Sequence, residues 1–163
     1  MAEAAATIVE FPQATKNASS TERIWGKAVT RHGYAGIPTI LIRGQSRLGL
    51  PPLQFNIIVQ LLEYWHDPAR PPFPSKEDLA LRMGVKPKTI QTNVRALEKA
   101  GLIRRELRRA PAGDWNSNVY HLDGLVEQLR KLEPEFAREK EDRKAGRRRV
   151  ETPAGKRDNK ARK

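Results

Sequence analysis

Between Ser75 and Arg109 the chain reads SKEDLALRMGVKPKTIQTNVRALEKAGLIRRELRR, and Gly84 and Gly101 each stand just past a short amphipathic stretch. Glycine at that place closes a helix, because the residue after the last turn adopts a left-handed conformation that a side chain resists. Ser75 offers its hydroxyl as a helix cap with Asp78 three residues on, and Pro87 stands where the first turn of the second helix begins. The spacing predicts two short helices about three residues apart. Ala80 is small enough to let them approach, and Ile90, Val94 and Leu97 recur at a helical period that buries one side of the second.

The flanking segments supply the rest of a small core. Leu53, Ile57, Ile58, Leu61, Leu62 and Trp65 form a helical stripe after Pro51-Pro52 and before Asp67-Pro68. Upstream, Pro38 opens either a short helix or a strand through Thr39 to Ile42. Residues 102–109 and 118–122 read as strands joined by the turn-rich segment 110–117, in which Trp115 either folds back over the core or stays exposed. Asp123 caps a further helix carrying Leu125, Val126, Leu129 and Leu132, and Pro134 either interrupts it or starts another through Phe136. Residues 1–34 show no sustained period apart from Ile8 to Phe11 and read as a flexible arm. The expected layout is an arm at 1–34, a folded domain at 35–123, a helical segment at 124–142 and a disordered basic tail at 143–163.

Charge is unevenly spread along this layout. The chain carries Lys plus Arg 31 against Asp plus Glu 19, net +12, which suits a polyanionic partner. Residues 143–163 hold ten basic and two acidic residues, and residues 86–109 hold eight basic and two acidic. The remainder of residues 35–132 is neutral, so the positive field of the folded part is confined to one stretch. Cysteine is absent, which removes disulfides, thiolate metal sites and a cysteine nucleophile. His32, His66 and His121 are scattered without ligand spacing, and no phosphate-cradling loop or nucleophile signature appears, so neither catalysis nor a metal or other cofactor is expected. No apolar run approaches a membrane span and the N-terminus lacks a signal pattern, so the expectation is a cytoplasmic chain with no membrane partner.

The pattern Ala80, Gly84, Ile90, Val94 and Leu97, followed by Ala-Gly-Leu-Ile-Arg-Arg and later Asn118-Val119-Tyr120-His121-Leu122, resembles a bacterial winged helix-turn-helix over roughly residues 50 to 123. The resemblance is to small transcription regulators, plasmid or phage replication initiators and DnaD-type N-terminal domains. It implies a mainly α fold with a small β-hairpin wing, classed α+β, and double-stranded DNA as partner. Where such families often place Ser or Thr as the cap of the second helix, this chain has Lys86; the exchange weakens the cap by about 1 kcal/mol and adds a cation.

At about 100° per residue, Lys88, Thr92, Arg95 and Lys99 fall opposite the buried side of this helix, with Thr89 and Gln91 flanking. Arg bridges guanine O6 and N7, Gln pairs with adenine, and Thr supplies a hydroxyl or methyl. Thr89, Gln91, Thr92 and Arg95 are therefore assigned to bases. Ser75, Lys76, Lys86, Lys88, Lys99, Arg104, Arg105, Arg108 and Arg109 are assigned to the DNA backbone. Leu125, Leu129, Leu132 and Phe136 recur at steps of four, three and four, which suggests either a homodimer interface or a terminal helix covering the domain's own core. Function is expected to be sequence-specific transcriptional regulation, with no small-molecule ligand evident in the sequence; origin binding as a replication initiator and a protein-binding adaptor are the alternatives.

Overall fold

The computed structural model describes residues 19–107 and 118–151, with side chains followed to residue 147. Residues 1–34 and 35–163 separate into two units. In the first, helix α1 (Ser20–Trp25) and helix α2 (Lys27–Thr30) meet at Gly26, whose φ of 78° ends one and begins the other. Over residues 20–30 these helices stand where an unpatterned arm is expected; residues 1–18 of that arm lie outside the described residues. Ser19 is the reason: its hydroxyl accepts the Glu22 N–H at 3.1 Å, which caps α1. Ile24, Trp25 and Val29 are exposed.

In the second unit, helix α3 (Thr39–Arg43) settles the open reading of Pro38 in favour of helix. Helix α4 (Pro52–Tyr64) follows, then α5 (Lys76–Met83), α6 (Pro87–Lys99), strands β1 (Arg104–Glu106) and β2 (Val119–His121), and α7 (Asp123–Glu151). The strands pair antiparallel with Arg104 opposite His121 and Glu106 opposite Val119. Pro72 extends this sheet by one bond, its carbonyl accepting the Tyr120 N–H at 2.8 Å. Among the described residues no helix is long and apolar enough to cross a membrane.

Both glycine stops have the same architecture. Gly84 has φ 64° and Gly101 φ 68°. In each case the residue after glycine reaches back to the carbonyl five positions earlier: Val85 N–H to Ala80 O at 3.0 Å, and Leu102 N–H to Leu97 O at 3.0 Å. This double closure satisfies the orphan carbonyls and turns an apolar residue inward. The core then gathers Leu41 from α3, Ile57, Ile58 and Leu61 from α4, Leu79 and Ala80 from α5, Ile90, Val94 and Leu97 from α6, Leu102 and Ile103, Tyr120 and Leu122 from the hairpin, and Leu125 from α7. Burying such side chains contributes about 1.5–3 kcal/mol each.

Helix α7 departs from expectation in two ways. It runs through Pro134 as one element, and it continues past residue 143 to Glu151, where a disordered tail is expected. Its hold on α3 explains the continuity. The Leu132 side chain lies against Gly44, the Arg43 guanidinium stacks 4.9 Å from the Phe136 ring centroid, and Arg43 and Arg47 pair with Glu139 and Glu135. A proline that costs helix hydrogen bonding is tolerated where packing on both sides holds the axis. Of the stripe read as either a dimer interface or a cover for the domain's own core, Leu125 is 1% exposed, Leu129 packs on the core, and half-buried Leu132 and Phe136 lie against Gly44 and Arg43, as a covering helix would.

Candidate nucleic-acid interface

Helix α6 presents two chemically opposite sides. Ile90, Val94 and Leu97 are at most 2% exposed and lock it to the core. Lys88, Thr92, Arg95 and Lys99 are exposed, and they lie within about 60° of one another around the axis. Among the described residues Lys86, Lys88 and Lys99 make no ion pair, whereas Arg43, Arg47, Arg82 and Arg105 each have a glutamate partner. Lys86 caps α6 without a side-chain hydrogen bond, and its carbonyl takes the Thr89 and Ile90 N–H groups at 2.9 and 3.3 Å. The start of α6 thus combines two lysines with the positive end of the helix dipole, a combination suited to phosphate.

The four residues assigned to bases do not all occupy the same side. Arg95 and Thr92 project outward. The Thr92 hydroxyl donates to the Lys88 carbonyl at 3.0 Å, so what it offers outward is a methyl and an oxygen acceptor. Thr89 is half-buried on the side of Asn93, whose carbonyl oxygen accepts from Gln54 of α4 at 3.4 Å. Gln91 is half-buried on the other side and lines a groove of about 1170 Å³ with Val94, Phe73, Arg105 and Tyr120.

Several backbone-contact assignments change with the geometry. Ser75 accepts the Asp78 N–H at 2.9 Å and donates to the Asp78 carboxylate at 2.7 Å, which uses its one hydroxyl proton in capping α5. Lys76 is exposed beside Glu77, 3.7 Å away. Arg104 stays outward on the hairpin, 4.0 Å from Glu106, which also meets the His121 ring at 2.9 Å. Arg105 does not. Successive strand residues point to opposite faces, and Arg105 shares the inner one with buried Tyr120. It donates from Nε to Glu98 Oε1 at 2.8 Å and from a terminal nitrogen to Glu98 Oε2 at 2.6 Å. Arg108, Arg109 and Trp115 lie outside the described residues.

Glu98 is the residue that spacing arguments miss. The Arg105 hydrogen bonds hold its carboxyl below the usual range, and Arg95 adds to the effect. No periodicity rule links positions seven apart across a helix stop and into a strand; the available signal is a lone acid between Arg95 and Lys99 in an otherwise basic segment. Tyr120, opposite Arg105, has its hydroxyl pKa raised by burial.

The geometry is that of two helices closed by a glycine turn, a second helix with a basic outer side, and an adjoining hairpin. A family described as a helix-turn-helix domain matches residues 48–103. These residues form a helix-turn-helix domain. Such a domain supports DNA binding in general. Among solved structures, the N-terminal domain of the DnaD protein from Geobacillus kaustophilus HTA426 is similar in fold: identity is 23%, 70% of this chain and 93% of that one are covered, and the TM-score is 0.51. A possible transcriptional regulator from Methanosarcina mazei Go1 is 15% identical over 63% of this chain and 82% of that one, with a TM-score of 0.41. No curated protein matches the chain. In the helix-turn-helix, α5 and α6 are the paired helices and the β1–β2 hairpin occupies the place of a wing.

Proposed function

We propose that this helix-turn-helix protein binds double-stranded DNA sequence-specifically, laying α6 in the major groove, and regulates transcription without catalysis. The observation that carries the reading is the outward side of α6, where Lys88, Thr92, Arg95 and Lys99 stand together while Ile90, Val94 and Leu97 anchor the opposite side. Its chemistry divides by donor geometry. The Arg95 fork reads a guanine edge, and Thr92 meets a thymine methyl. Lys86, Lys88 and Lys99 neutralise phosphates, and Arg104 extends that set onto the hairpin. The half-buried flanks leave Thr89 and Gln91 as secondary readers at the two edges of the helix.

The test is selection of binding sites from a pool of random duplexes. An enriched motif of a few base pairs, with guanine at the Arg95 position, supports the reading. Binding without enrichment contradicts sequence specificity. A single site or inverted pair near a promoter fits regulation, whereas an array of direct repeats fits an origin binder.

A further inference from the structure

The arginine–glutamate pairs of the domain differ in how far they are removed from solvent. The side chains of Arg43–Glu139, Arg47–Glu135 and Arg82–Glu63 are 40% exposed or more, while those of Arg105 and Glu98 are 25% and 27% exposed. Like the exposed Arg47–Glu135 pair, the less exposed one is two-pronged, with bonds of 2.8 and 2.6 Å, a geometry that fixes direction as well as distance. Its location matters more than its strength. Glu98 lies in the last turn of α6, and Arg105 is the middle residue of β1. Between them the backbone turns at Gly101, with φ 68°, in the closure made by the Leu102 N–H on the Leu97 carbonyl, and Glu98 and Arg105 bridge that turn from side to side.

From this geometry we infer that Glu98 and Arg105 are a positioning pair, which sets the angle of the hairpin to the recognition helix so that both engage one duplex. The inference rests on the DNA-binding reading of α6 and deepens it. Arg105 faces inward beside Tyr120 and grips Glu98 with both prongs, so it serves the interface through the hairpin's orientation. Arg104, one residue earlier and on the opposite face, is the residue that touches phosphate. The pair has a second neighbour in the groove beside Gln91 and Val94, where Arg105 forms part of the wall. An altered hairpin angle would therefore also shift the edge along which Gln91 approaches a base.

The experiment compares Glu98→Gln, Arg105→Ala and the double variant with the wild-type full chain, on the selected duplex and on a scrambled one. Folded fraction is followed by circular dichroism. Positioning predicts that both single variants, while folded, lose about tenfold or more on the selected duplex and less on the scrambled one, and that the double variant loses no more than either single variant. Hydroxyl-radical protection on the hairpin side should fade while guanine N7 protection under α6 persists.

Had Arg105 touched phosphate directly, Glu98→Gln would release it and binding would hold or tighten; that result overturns the proposal. Equal losses on both duplexes that track the unfolded fraction also overturn it, because they describe a purely structural pair. Failure of the DNA-binding reading is separable, since the wild-type protein would then hold the selected and scrambled duplexes alike and protect no guanine N7.

Discussion

Arg95 and Lys88 share the outer side of α6 but carry different donors, and this difference makes a sharp test at the level of single residues. Arg95→Ala should cost about 1–3 kcal/mol at the preferred site and relax selection at one or two base pairs. Lys88→Ala should weaken all duplexes alike and reduce the salt slope by about one. Titrations on cognate and scrambled duplexes read both; equal losses for the two variants would count against base reading by Arg95. A second single-residue test concerns the frame. A Cβ on Gly124 would overlap the Gly101 carbonyl oxygen, where the start of α7 closes on the end of α6. The same junction holds the Leu125 N–H on the Leu102 carbonyl at 2.8 Å. Gly124→Ala should therefore destabilise by about 1–3 kcal/mol in chemical denaturation, whereas Gly49→Ala, with open space for a Cβ, should suffer only from its φ of 63°. At this scale the buried residues of α6 were legible, because a period of 3.6 sorts a helix into sides. The inward turn of Arg105 was legible only from strand alternation, which the count of basic residues overrides.

Elements add a level at which contacts across the fold decide. The Glu98 carboxyl is held below its ordinary value by Arg105, so its contribution is present above the unfolded value and lost as pH falls through the folded one. The stability difference between wild type and Glu98→Gln should be largest near neutrality and shrink once pH drops below about 4.3, the ordinary glutamate value. Thermal melts at several pH values measure it, and a difference that grows in acid would contradict the assignment. Helix α7 gives the other test. Leu132→Ala should loosen α7 from α3 at a cost of about 2 kcal/mol without altering the mass in solution, since the stripe faces its own chain.

The helix boundaries at Ser75, Gly84, Pro87 and Gly101 were written in the sequence, because each is a chemical stop or start. The length of α7 was not. Its continuity through Pro134 depends on Arg43, Arg47 and Gly44, some ninety positions away, and no local rule carries that information.

For the whole molecule, DNA binding turns on where positive charge is placed relative to the fold. Residues 143–163, which include the end of α7, add ten basic and two acidic residues. Their removal should lower affinity for any duplex and flatten the salt slope, with the ratio of specific to non-specific binding nearly unchanged. The lysines of α6, which make no ion pair among the described residues, belong to the other category, because they are fixed by a helix whose inner side is fully anchored. The most direct measurement of the central claim is the dependence of duplex affinity on salt, taken for wild type and for Arg95→Ala on the selected and scrambled sites. Base reading by α6 entails a linear fall of log affinity with log salt for both proteins, and a loss in Arg95→Ala confined largely to the selected site. Binding that is insensitive to salt, or an Arg95→Ala loss of equal size on both duplexes, would contradict it.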